Sequence, residues 1–107
     1  MRHIDTLKNN ESFQRVFRVH DSVADRNLIL YRAPGTGKLG IVCTKKIGNS
    51  VIRHRFQRVV REAFRLNRND FRNDIDIVVI ARENAKGQGL TEIERSFLNL
   101  VKRPTVF

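Results

Sequence analysis

KKIGNSVIRHRFQRVVREAFRLNR, residues Lys45 to Arg68, decides how this chain folds, because it carries a helical period with two unlike faces. Ile52, Phe56, Val59, Val60 and Ala63 recur at i, i+4, i+7, i+8 and i+11, an apolar stripe at about 100° per residue. His54, Arg58, Arg61 and Arg65 recur at i, i+4, i+7 and i+11 on the opposite side, with Arg53 and Arg55 at the two edges. Gly48, Asn49 and Ser50 precede the run and supply a turn and an N-cap, and Asn67 to Asp70 end it. A solvated helix face usually mixes signs so that neighbours at i,i+4 attract. Here like charges hold that spacing around one acid, Glu62, and repel by a few tenths of a kcal/mol each. A polyanion would remove that cost, so the stripe reads as a nucleic-acid footprint.

Composition supports the same partner. The 107 residues carry 21 Lys and Arg against 11 Asp and Glu, a formal charge of +10, and Arg outnumbers Lys. Arg suits planar, bidentate contact with phosphate. The length predicts one domain, residues 1–107, with an ordinary core. A membrane is the competing anionic surface, but no apolar run approaches about 18 residues. The N-terminus MRHIDTLKNNE lacks the apolar stretch of a secretory signal. The single cysteine, Cys43, lies in the apolar run Leu39 to Cys43 and is expected to be a small buried residue in a reducing cytoplasm.

Outward from the basic helix, Leu7 to His20 predicts a first helix with Asn9 or Asn10 as N-cap and Phe13, Val16 and Phe17 on one face. Spacing alone makes the two phenylalanines core residues. Ser22 and Val23 suggest a brief strand, and Leu28 to Ala33 a longer one broken by Pro34 and Gly35. GTGKLG, Gly35 to Gly40, matches G-x-G-x-x-G, but a strand follows it where a helix N-terminus would have to receive a pyrophosphate. It is expected to be a hairpin loop. Asp74 to Arg82 has the nearly unbroken apolar run of a central strand covered on both faces, and Asp74 and Asp76 have no third acid or His nearby for catalysis. After a loop at Ala85 to Gly89, Thr91 and Glu94 form a T-x-x-E capping box for a last helix with Ile93, Phe97, Leu100 and Val101 inward, closed by Pro104. The order α-β-β-β-α-β-α gives an α+β domain, a two-layer α/β sandwich.

The pattern K-K-x-G-N-[AS]-V-x-R-x-R-x-x-R-x-x-R-E, Lys45 to Glu62, resembles the signature of the bacterial ribonuclease P protein subunit. LKNNESFQRVFR, SVADRNLILYR and DIDIVVIAR resemble that family's first helix, first strand region and last strand. The resemblance implies a non-catalytic subunit of a bacterial, cytoplasmic ribonucleoprotein that removes the 5′ leader of precursor tRNA. Its RNA subunit carries the catalysis with Mg²⁺; neither a small-molecule substrate nor a membrane is involved. It also implies a left-handed β-α-β crossover around the arginine-rich helix, against the general rule. Lys45, Lys46, Arg53, His54, Arg55, Arg58, Arg61 and Arg65 fall at positions that contact RNA. Phe13, Phe17 and Tyr31 fall at the aromatic positions of a cleft for the single-stranded leader, which moves the phenylalanines from core to binding surface. His54 stands where Asn is usual and Gln57 where Lys is common. Two rivals remain: a general structural RNA-binding protein, such as a ribosomal protein, and an RNA hydrolase built on His3, His20 and His54, which lack partners at useful spacing.

Overall fold

A computed structural model describes residues 7 and 9–107; His3 and most of the N-terminal stretch lie outside the described residues. Helix α1 spans Asn10–Arg18, β1 Asp21–Ala24, β2 Leu28–Pro34, β3 Leu39–Val42, α2 Ser50–Leu66, β4 Ile75–Ala81 and α3 Leu90–Val101. The sheet order is β1-β2-β4-β3, with β1, β2 and β4 antiparallel in turn and β3 parallel to β4. The expected α+β class and element order hold.

Strand alternation sends side chains to two separate clusters. Leu28 and Leu30 of β2, Leu39 of β3 and Ile75, Ile77 and Val79 of β4 join Phe56, Val60, Ala63 and Phe64 of α2 and Ile93, Phe97 and Leu100 of α3. On the other face, Ala33, Val78, Val42, Ile80 and Tyr31 meet Phe13, Val16 and Phe17 of α1. The sandwich therefore has a helix layer on each side of its one sheet. Phe64, Phe71 and Phe97 pack with ring centroids 5.2 to 6.3 Å apart and tie α2, the segment leading into β4 and α3 together.

The crossover from β3 through α2 to β4 is left-handed, and its hand follows from chirality. Ile77 faces α2, and its amide donates to the Lys38 carbonyl at 2.9 Å. An L-residue in a rising strand whose side chain points at the viewer directs N–H and C=O to the right. Viewed from α2, β3 thus lies right of β4 and the chain crosses leftward, against the hand seen in about 98% of such units.

Several local expectations change. Gly35 to Gly40 is not a hairpin, because β4 enters between β2 and β3. The loop instead spans the end of β4, where the buried Asp76 carboxylate accepts from the Thr36 and Lys38 amides at 3.1 and 2.8 Å and from Arg15 of α1. Gly35 lies against that carboxylate, leaving no room for a Cβ. Pro34 is the last paired residue of β2, opposite Ile75, rather than a residue beyond it. In α2 the core stripe centres on Phe56, Val60, Ala63 and Phe64; Val59 sits at its margin and Leu66 is exposed. The helix ends at Leu66, before the 3-10 turn at Arg68–Asp70.

Thr91 caps nothing. Gly89 takes the N-cap position, its carbonyl accepting from the Ile93 amide at 3.1 Å, and Glu94 turns to the Asn67 amide group at 2.9 Å. Part of the expected loop before α3 is a 3-10 turn, Glu83–Ala85.

One buried polar element was not anticipated. Arg32 of β2 donates from Nε and Nη2 to Asp21 of β1 at 3.0 and 2.6 Å, and both side chains are about 1% exposed. The same guanidinium reaches the carbonyls of Arg103 and Pro104, while Asp21 accepts from the Val106 amide at 2.9 Å. The pair thereby fastens the C-terminal segment beneath the sheet.

Candidate nucleic-acid interface

Asn49, the α2 N-cap, accepts from the Ile52 amide at 3.1 Å and fixes where the helix begins. With the apolar stripe held against the sheet, His54, Arg55, Arg58, Arg61 and Arg65 all project to solvent. Lys45 and Lys46 are exposed on a 3-10 turn whose third residue, Ile47, is anchored in the core. All seven expected residues are exposed, five of them on α2 and two on the turn that precedes it. Arg53 differs: it is half-buried, and its Nε is enclosed without a hydrogen-bond partner. Cys43 is half-buried rather than fully buried; burial pushes its thiol up, and nearby Arg53 opposes the shift.

Glu62 offsets part of the charge by pairing with Arg65 one turn on. The hydrogen bond from Arg65 holds the Glu62 carboxyl below its ordinary value and raises the guanidinium in turn. Arg55, Arg58 and Arg61 appear in no ion pair among the described residues.

The aromatic residues gather on the opposite face of the sheet. Phe17 and Tyr31 meet edge to face, centroids 4.9 Å apart at 81°, and both are half-buried. Phe13 lies over Gly40 of β3, where a Cβ would come within 2.6 Å of the ring. The missing side chain lets the ring settle on the sheet. Val16, by contrast, is fully buried against this face. Phe13 and Phe17 are thus partly packed against this face and partly accessible. Tyr31, Val42 and Ile80 complete a partly open apolar surface beside α1. Val42, Ile80 and Gly40 escaped the sequence reading because strand periodicity cannot tell a covered face from one left half-open.

The two surfaces communicate around an edge of the sheet. β3 is an edge strand, and Lys45 and Lys46 stand where the chain turns from its end toward α2. His20 and His54, two of the histidines a hydrolase would need, are both exposed. Among the described residues no three His, Cys, Asp or Glu side chains converge as metal ligands. No helix of the described residues is long and apolar enough to cross a membrane.

Comparison with known proteins places the sequence and the fold in one family. The sequence matches the Ribonuclease P protein-family model over residues 1–105. It is 38% identical over 101 residues to the ribonuclease P protein component of Lachnoclostridium phytofermentans, covering 92% of this chain and 87% of the relative. The Brevibacillus brevis ribonuclease P protein component is 40% identical over 104 residues, covering 94% and 82%. Among solved structures, the RNase P protein of Staphylococcus aureus superposes with a TM-score of 0.80 at 32% identity, covering 94% of each chain. With sequence, element order and three-dimensional match in agreement, the chain belongs to the ribonuclease P protein component family.

Proposed function

We propose that this chain docks on the catalytic RNA of bacterial ribonuclease P through the cationic face of α2 and grips the 5′ leader of precursor tRNA in the aromatic cleft beside α1. The observation that carries the reading is the separation of two chemically distinct surfaces on one small sheet. One is an exposed arginine face suited to phosphates; the other is a half-open aromatic face suited to unpaired bases. Stacking on exposed rings is worth about 1–3 kcal/mol per base and tolerates sequence, as a subunit serving many precursors requires.

In this reading the RNA subunit carries out the cleavage and holds the Mg²⁺, in the bacterial cytoplasm. The protein supplies fixed cations that lower the Mg²⁺ the RNA requires. With roughly six phosphates contacted, log K falls with log salt with a slope of about 4 to 5 in magnitude.

Phe13→Ala and Phe17→Ala test the cleft in the reconstituted holoenzyme. Affinity for precursor tRNA is expected to fall while affinity for mature tRNA holds. Equal losses would return the general RNA-binding rival, which the family match already disfavours. Cleavage of precursor tRNA by the purified protein with Mg²⁺ and no RNA subunit would overturn the non-catalytic assignment.

A further inference from the structure

The hydrogen bonds that the buried Arg32–Asp21 pair makes beyond itself all go to backbone of the C-terminal segment: the Arg103 and Pro104 carbonyls and the Val106 amide. Two ions taken out of water carry a desolvation cost that their attraction only partly returns, so such a pair is a poor device for stability alone. What it does achieve is a fixed position for that segment. The segment in turn closes a cavity of about 230 Å³ against the end of α3 and the approach to β4.

Phe71, Ile75, Leu98 and Val101 give the cavity an apolar lining. Phe71 and Ile75 are buried and Leu98 and Val101 half-buried, so the lining is core packing left open at one side. Arg72, Lys102 and Arg103 line it as well, and all three are exposed. Arg72 is held by Asp74 at 2.9 Å, whereas Lys102 and Arg103 appear in no ion pair among the described residues. Lys102 is also the C-cap of α3, where its charge offsets the partial negative charge of the helix end. The volume falls below the roughly 300 Å³ at which pockets for drug-sized ligands begin, and it suits one flat heterocycle. An apolar slot for a ring beside cations for a phosphate matches the chemistry of a single unstacked nucleotide.

We infer that this cavity receives the base of one unpaired nucleotide of the RNA subunit, with Lys102 and Arg103 on its phosphates, as a second docking point besides the cationic face of α2. The source follows from the layers. The Phe71 ring stacks on Phe64 of α2 at 5.2 Å, and Leu98 and Val101 belong to α3, so the cavity lies in the α2 and α3 layer. The leader cleft lies on the other face of the sheet. An RNA seated on α2 is on the cavity's side, and a leader seated beside α1 is not. The inference rests on the docking proposed above and adds a contact of a different kind to it: enclosure of a base, which salt does not screen, beside phosphate contacts, which it does.

The direct probes are the four 5′-nucleoside monophosphates, followed by NMR on the methyl groups of Ile75, Leu98 and Val101 in the whole chain. At least one nucleotide is expected to shift these methyls saturably, and inorganic phosphate is not. Equal shifts from phosphate, or none from any nucleotide, would overturn the base pocket. The RNA subunit should shift the same methyls while precursor tRNA alone leaves them unmoved; the reverse pattern would overturn the assignment to the RNA subunit. Val101→Phe fills the cavity from α3, and Thr105→Phe fills it from the opposite wall, outside the core, so a folding defect in the first does not decide the matter. Each is expected to weaken RNA-subunit binding on the order of tenfold, as the loss of one stacked base would, with the salt slope unchanged. Lys102→Ala combined with Arg103→Ala should instead flatten that slope by up to about two. Full RNA-subunit affinity in both filled variants would overturn the inference. Arg58→Ala, measured in parallel, separates the two readings: if it too leaves RNA-subunit affinity unchanged, docking through α2 is itself wrong. If it weakens that affinity, only the cavity falls.

Discussion

Removing the Asp76 carboxylate tests whether one buried acid sets the position of α1. Asp76 is about 1% exposed and accepts three hydrogen bonds, from the Thr36 and Lys38 amides and from Arg15. Alanine would orphan two loop amides at about 1 kcal/mol each. The Arg15 contact adds less than a buried ion pair, because its guanidinium side chain is 45% exposed and solvent screens it; about 0.5–1 kcal/mol is reasonable. Asp76→Ala should therefore cost about 3 kcal/mol. Asparagine can still accept from both amides through its Oδ1, but its Nδ2 stands where Oδ2 accepts from Arg15 and cannot accept that bond, so Asp76→Asn should cost about 1 kcal/mol. Arg15→Ala alone should cost a similar amount, and the double variant with Asp76→Asn should fall short of additivity because both remove one interaction. Urea unfolding at constant m value measures all four. If Asp76→Asn proved as damaging as Asp76→Ala, the two amide bonds would not be what the carboxylate is there for. Since Arg15 belongs to the same helix as Phe13 and Phe17, leader affinity in the folded Asp76→Asn protein should fall as well.

Gly40→Ala places a methyl group 2.6 Å from the Phe13 ring, which must rotate outward; a stability loss of about 1 kcal/mol by denaturation and weaker precursor binding than mature tRNA binding are expected. His20 follows the end of α1 with φ of 60°, its amide donating to the Phe17 carbonyl at 3.1 Å, so His20→Gly should raise stability by roughly 0.5–1 kcal/mol in thermal or urea melts. Glu62→Gln frees Arg65 and should tighten RNA-subunit binding about twofold at low salt, with the gain fading as salt rises. Because Arg65 lowers the Glu62 pKa in the fold, the pair is intact at neutral pH and is lost as pH falls through that lowered value; wild type and variant should converge only in strong acid.

Legibility in the sequence divides along the range of the interactions involved. α2 was readable because cap, apolar stripe and charged stripe all lie within a local segment, and Asn49 caps where the pattern ends. β4 was readable as central because an unbroken apolar run can be satisfied only by cover on both faces. The loop from Gly35 to Lys38 failed for the converse reason: Gly and Pro announce a turn, but what the turn encloses depends on β4, whose partner residue Asp76 is about 40 positions away in sequence. Arg32 within LILYRA gave no local sign that it would be buried, since its compensation comes from Asp21 and from carbonyls near the C-terminus. The hand of the crossover is likewise invisible to periodicity, which is identical for either hand, and entered only through the family resemblance. The cationic face was local and therefore legible. The aromatic face is assembled from α1, β2, β3 and β4, and spacing within α1 assigned its rings to the core. Burial by half is a tertiary property: what separates a core phenylalanine from a stacking one is whether the neighbouring row of the sheet, here Ala24, Ile29, Ile80 and Val42, is covered or left open.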